Sequence, residues 1–140
     1  KEQGKIRRFG ASVNAAGAVE CIKQGAEVIE TPFNLLTQQP LQELFPLARR
    51  NKVGILARSP FASGRLFQKG RNAAIHPYRF LARKGRPLTD AAIKFSLAHD
   101  EVSSVVVGIM RPAEVAKNIN ACRRPFLSKA DLARVAKLND

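Results

Sequence analysis

The residues whose types and spacing could do chemistry follow one short apolar run. Val53, Gly54, Ile55, Leu56 and Ala57 lead into Arg58, Ser59, Pro60, Phe61, Ala62, Ser63 and Gly64. The run is too short for a helix and reads as a buried strand. Pro60 lacks a backbone donor and turns Ser59 away from helix, so the strand stops there. Ala62, Ser63 and Gly64 are small enough for a ligand to reach the backbone. A buried parallel strand that opens at its C-terminal end into such a loop is where α/β folds place ligands. The chemistry offered is therefore binding.

Groups for acid–base work are sparser. His76 and Tyr78, with Lys69 or Lys84, have the residue types of a proton-donor set. Nothing in their spacing holds them together, and Tyr78 reads better as a packing anchor for its loop. Arg79, Arg83, Lys84 and Arg86, preceded by Lys69 and Arg71, form the densest basic group. They read as solvated, with an approach to ligand phosphates as the alternative. His99 closes a helix, where a cation complements the dipole. No cluster of His, Cys and carboxylates has metal-ligand spacing, so no metal is expected.

Composition bounds the classes. A chain of 140 residues with 45% hydrophobic content suits one globular domain. No apolar run approaches the roughly 18 residues of a membrane span. Two isolated cysteines, Cys21 and Cys122, make neither a zinc pattern nor a disulfide framework; they read as reduced, partly buried thiols of a cytoplasmic protein. The formal net charge of +13 favours anionic partners. The bases are not interleaved with aromatics as in a stacking platform, so nucleic-acid binding is the weaker reading.

The elements that must position these residues alternate. A strand over Ile6–Ala11 exits through Ser12 and Asn14, either of which could cap a helix over 15–24 that Gly25 ends. A strand over Glu27–Thr31 is stopped by Pro32, and a helix follows over Leu41–Asn51. The Val53–Ala57 strand is third. An irregular stretch runs from Arg58 to Pro87 with one short helix near Ala74–Arg83; loops of that length are usually functional. A helix over Leu88–His99 has Asp90 in its first turn. Val102–Val107 is a fourth strand, read as buried on both faces. Pro112 opens a helix over Ala113–Ala121, and Ser128 to Asp131 start a terminal helix in the manner of a capping box. The result is an α/β chain with four parallel strands alternating with helices plus a C-terminal helix. It fits an open sheet or half of a (β/α)8 TIM barrel. No Gly-x-Gly-x-x-Gly turn follows any strand, which argues against a Rossmann dinucleotide fold.

Four segments in this order resemble the aldo-keto reductase superfamily. Gly4–Ser12 is similar to its fifth strand, Thr31–Leu36 to its sixth-strand exit and Val53–Gly64 to its seventh strand and loop. Val102–Gly108, with Arg111 to Val115 and Asn118, resembles the eighth strand and the cofactor helix. The resemblance implies the fifth to eighth βα units of a barrel that binds NADP(H). It places Ser12 at the nicotinamide carboxamide and Glu30 where a glutamine usually helps. An ionised carboxylate accepts but does not donate, so half of that role is lost. Arg58 falls where an aromatic often stacks on the nicotinamide. Ser59, Phe61, Ser63 and Gly64 fall in the pyrophosphate loop, with Gly108 closing the eighth strand. Arg111 lies beside the positions that meet the 2′-phosphate, and Asn118 matches the asparagine that reads adenine. Val13, Ile109, Glu114 and Lys117 depart from the family pattern. Glu114 would repel a 2′-phosphate if it pointed inward.

The family's catalytic aspartate, tyrosine, lysine and histidine belong to the barrel half that these segments do not resemble. The expected catalytic set is therefore none, and the expected activity of the chain by itself is impaired or absent. A half-barrel also leaves two strand edges unpaired and an inner face, read as Ile6, Ile29, Ile55 and Val105, without a second layer. Closure is expected through a homo-dimer or through the missing N-terminal half. The alternative reading is a non-catalytic binding or regulatory module on the same scaffold.

Overall fold

The computed structural model describes residues 1–70 and 72–139; Arg71 of the basic group lies outside them. Four strands, β1 (Gly10–Ser12), β2 (Val28–Pro32), β3 (Gly54–Arg58) and β4 (Val102–Val106), form one parallel sheet in that order. Each strand pairs with its neighbour in sequence, so every crossover has the same hand and the helices cover one face. Among the described residues no helix is long and apolar enough to cross a membrane.

Local chemistry sets the helix limits. Asn14, not Ser12, caps α1 (Ala15–Lys23), its side chain accepting from Gly17 N at 2.9 Å. The expected helix over Leu41–Asn51 splits into a 3₁₀ turn, Gln39–Leu41, and α2 (Leu44–Asn51), which Lys52 ends in the left-handed region at φ 55°. α3 (Leu88–Leu97) has Asp90 in its first turn. α4 (Pro112–Ala121) opens on its proline, whose missing N–H is not needed there. α5 (Lys129–Ala136) is capped by Ser128, which accepts from Asp131 N at 3.1 Å.

The sheet reverses one expectation. Ile29 and Ile55 are fully buried, but against the helices, in one cluster with Ala18, Phe45, Ala48 and Phe95. The opposite face carries Ser12, Val28, Glu30, Leu56 and Arg58, which are not buried. The strand period is 2, so naming the wrong alternate set inverts the whole face. Ile6 lies outside β1 and is 50% exposed. β1 is short because β2 begins only at Val28; before that, pairing is limited to Glu27 N donating to Phe9 O at 3.0 Å. β4 is not buried on both faces: Ser103, Ser104 and Val106 are exposed, as befits an edge. Pro32 ends β2 from inside it, opposite Arg58.

Phe33 is the centre of the core. Its ring lies 4.7 Å from Phe45, 5.3 Å from Phe95 and 4.9 Å from His99. His99 does close α3, with Nδ1 2.9 Å from Phe95 O, but it is packed among these rings rather than solvated. Burial pushes its pKa below the usual imidazole value, although the Phe95 carbonyl and the Glu101 and Asp100 carboxylates pull the other way. The folded chain thus holds His99 neutral while the unfolded chain protonates it near pH 6.5. This contribution to stability is complete above about pH 6.5 and declines as pH falls through the depressed folded value. Urea midpoints measured from pH 7.5 to 5 are expected to fall, and to fall less in His99→Phe. Parallel pH profiles would refute this role.

The described residues between Arg58 and Pro87 include 3₁₀ turns within Ala62–Phe67, interrupted by left-handed Ser63 and Gly64, and a 3₁₀ segment over His76–Leu81. The second is fastened to α5. Arg83 and Arg86 both pair with the buried Asp131, Arg86 also donates to Leu81 O, and Arg134 stacks 3.8 Å over Phe80. Two of the bases expected to be solvated are therefore tied to an acid. Cys122 is exposed, not partly buried as read from its apolar neighbours, because it follows the last turn of α4.

Candidate functional site

Parallel pairing brings the C-terminal ends of all four strands to one side of the molecule. Ser12 stands opposite Glu30, and Pro32 opposite Arg58, which in turn stands opposite Val106. On the face away from the helices, Ser12, Glu30 and Leu56 line a shallow hollow of about 350 Å³. Arg58 Nε lies 3.8 Å from Glu30 Oε1, an ion pair too long for a hydrogen bond; that nitrogen is buried without a hydrogen-bond partner among the described residues.

The loop after β3 is strained. Ser59, Ala62 and Ser63 have φ of 58°, 50° and 53°, and Gly64 follows at 87°. Three non-glycine residues in the left-handed region within five positions cost on the order of 1 kcal/mol each and occur where surroundings over-determine the backbone. Asn34 is one such support: it is buried, and its Nδ2 donates to Ser59 O at 2.9 Å. Sequence reasoning missed this role. A lone asparagine between Phe33 and Leu35 was its only signal.

A larger cleft of about 820 Å³ lies between this loop, the start of α3 and the first turns of α4. Phe61, Gly108, Arg111 and Asn118 line it together, from three separate segments. Ser59, Ser63 and Gly64 lie in the loop but line neither hollow, and Ser63 and Gly64 are exposed. Phe67, Pro87, Thr89, Asp90, Met110 and Asn120 complete the wall without having been singled out. For α4 the signal was available: Arg111, Glu114, Lys117 and Asn118 are spaced by three or four and share a helix face.

Glu114 lines this cleft, with its carboxylate folded back on the residues that lead into α4. Its Oε2 accepts from Met110 N at 3.0 Å and Arg111 N at 3.4 Å, and its Oε1 accepts from Arg111 Nε at 2.9 Å. The Met110 amide first, then the Arg111 side chain, hold its carboxyl below the usual range. Arg111 pairs with Glu114 at the surface, its side chain 80% exposed. The tempting His76–Tyr78 pair is not at either hollow: Tyr78 is buried, donates to Asn139 Oδ1 at 3.2 Å and anchors its loop, while His76 is exposed. Among the described residues no three His, Cys, Asp or Glu side chains gather to hold a metal.

The profile of the aldo/keto reductase family matches residues 1–140. The chain belongs to this family. It is 27% identical over 135 residues to a pyridoxal 4-dehydrogenase of Microbacterium luteolum, covering 83% of this chain and 40% of that protein. It is 30% identical over 92 residues to an L-galactose dehydrogenase of Arabidopsis thaliana, covering 58% and 29% respectively. An aldo-keto reductase from Bacillus halodurans in its holo form superposes with a TM-score of 0.82 at 27% identity, over 99% of this chain and 52% of that one. An aldo/keto reductase from Klebsiella pneumoniae in complex with NADP and acetate has the same fold, with a TM-score of 0.77 at 18% identity, over 98% of this chain and 50% of that one. The chain therefore spans between about a third and about half of the length of these relatives, and its four βα units match about half of a TIM-barrel reductase.

Proposed function

We propose that the chain forms the fifth to eighth βα units of an aldo-keto-reductase barrel and carries its nicotinamide dinucleotide site, the NADP(H) site of the resemblance. The observation that supports this most is the single cleft formed by Phe61, Gly108, Arg111 and Asn118 at the C-terminal ends of β3 and β4. A parallel α/β sheet presents its ligand site at that end.

When bound, the cofactor would supply hydride to a carbonyl carbon. The chain's own residues bind and orient. Phe61 gives an apolar wall, Asn118 an amide that can donate and accept toward a base edge, and the left-handed loop a close backbone approach. Ser12, Glu30 and Arg58 stand at the strand ends on the uncovered face, where a nicotinamide carboxamide would meet a hydroxyl and a carboxylate. Carbonyl reduction also needs a proton donor. The chain's one tyrosine, Tyr78, is spent on Asn139 away from the cleft. We therefore assign the 140 residues binding without turnover.

The uncovered face and the unpaired edges of β1 and β4 favour closure by a second four-stranded unit. The test uses the 140-residue chain itself, titrated with NADPH and NADH to millimolar concentration and assayed on carbonyl substrates. Saturable quenching of cofactor fluorescence without turnover is expected. No binding of either cofactor would remove the cofactor reading, and turnover would remove the claim that the acid lies elsewhere. Sedimentation of the same sample near twice 15.4 kDa would make a second copy the closing unit; a well-folded monomer would exclude it.

A further inference from the structure

The positive charge of the chain is concentrated in one stretch. Eleven of its 24 basic residues and none of its 11 acids fall between Glu43 and Asp90. Arg49, Arg58, Arg83 and Arg86 take acids from elsewhere in the fold, namely Glu101, Glu30 and Asp131. Of the rest, Arg65, Lys69 and Arg79 are exposed and have no acid within ion-pair distance among the described residues. They share one surface. Gln68 N donates to Arg65 O at 3.2 Å, and a terminal nitrogen of Arg79 donates to Gln68 O at 3.2 Å, which sets that guanidinium at the Gln68–Lys69 peptide. Side chains three apart eclipse in a 3₁₀ turn, so His76 joins Arg79 on the outer side while Tyr78 and Leu81 are buried on the inner. None of these bases lines the cleft assigned to the cofactor.

Apolar side chains protrude beside them. Phe67, between Arg65 and Lys69, is 59% exposed, and Met110, which lines the same cleft as Phe67, is 94% exposed. A side chain left that far in water contributes little to the core. A stacking platform for nucleic acid needs a series of rings, and this surface offers Phe67 and the imidazole of His76. Cations around protruding apolar side chains are instead what holds an interfacial protein on an anionic bilayer. We propose that this surface, Arg65, Phe67, Lys69, Arg79 and Met110, docks on a membrane leaflet that carries anionic headgroups. The bases meet the headgroup charges, and Phe67 and Met110 enter the headgroup layer.

The test is co-sedimentation of the 140-residue chain with vesicles of phosphatidylcholine and with vesicles of equal parts phosphatidylcholine and phosphatidylserine. Binding to the mixed vesicles alone, weakened by added salt, is expected. Lys69→Ala with Arg79→Ala should weaken it roughly 25-fold, at about fivefold for each base near such a surface. The control, Lys23→Ala with Arg50→Ala, removes the same charge from the helix ends that lead into β2 and β3 at the far end of the sheet, and should change binding less than about twofold. Met110→Ser should weaken binding about fivefold whatever the salt, because its contact is apolar. Equal losses in the two double variants would reduce the effect to net charge and overturn the docking surface. Binding to oligouridylate that is tighter than to the mixed vesicles and unmoved by Met110→Ser would give the surface to nucleic acid and overturn it as well. So would an absence of binding to the mixed vesicles. Should Arg79→Ala disturb its loop, Lys69→Ala against Arg50→Ala decides, with about a fivefold loss expected in the first alone.

Discussion

Phe33→Ala is expected to destabilise the chain by about 3–5 kcal/mol, the range for deleting a buried aromatic side chain. Phe33 is fully buried and meets Phe45, Phe95 and His99 at once. Truncation leaves a cavity that three rings cannot fill by small movements. The effect should extend to the site. Phe33 N donates to Arg58 O at 3.2 Å, and Ser96 Oγ donates to Phe33 O at 3.2 Å. The next residue, Asn34, holds Ser59 O. A shift of this backbone would therefore release the strained loop that borders the cleft. Phe33→Leu, which keeps most of the volume, should cost less than about half as much. Urea unfolding of both variants checks the ranking, and equal losses would show that the aromatic cluster is not the core's centre.

Gly10→Ala should cost about 3 kcal/mol, with loss of β1 from the sheet. A Cβ built on Gly10 would stand 1.7 Å from Val28 O and 2.6 Å from Val28 C. These are backbone atoms of the residue with which Gly10 is in register, so the clash cannot be relieved without breaking the pairing. Ser12 would then lose its place opposite Glu30, and the hollow on the uncovered face would open. Urea unfolding together with amide exchange at Val13, whose N–H donates to Glu30 O, is the measurement. A loss under about 1 kcal/mol, with that amide still protected, would mean that β1 approaches β2 less closely than described.

What could be read from the residues divides along physical lines. The alternation of strands and helices was legible because apolar period and punctuation agree locally. Asn14, Pro112 and Ser128 mark helix starts by their own side-chain chemistry. The facing of the strands was not legible. β2 and β3 have apolar residues on both alternate sets, so Ile29 and Ile55 could be assigned to either side until the helices are placed. The pairing of Arg83 and Arg86 with Asp131 joins residues more than 40 positions apart, which no local pattern encodes. In the site, Phe61, Gly108, Arg111 and Asn118 were named by resemblance and do meet in one cleft. The state of Arg111 was open to reading, since an acid three residues along a helix is within its reach. Asn34 and Asp90 were not, because their roles depend on where a loop returns.

The order of the sheet has a consequence for how such a chain can grow. Every strand pairs only with its predecessor and successor in sequence. Pairing of that kind limits each loop closure to a single crossover, the longest running from Arg58 to Val102. It also means that strands can be added beyond β1 or beyond β4 without threading the backbone through anything already formed. A fold built this way is modular in its wiring, so that doubling it calls only for another unit offered at an open edge.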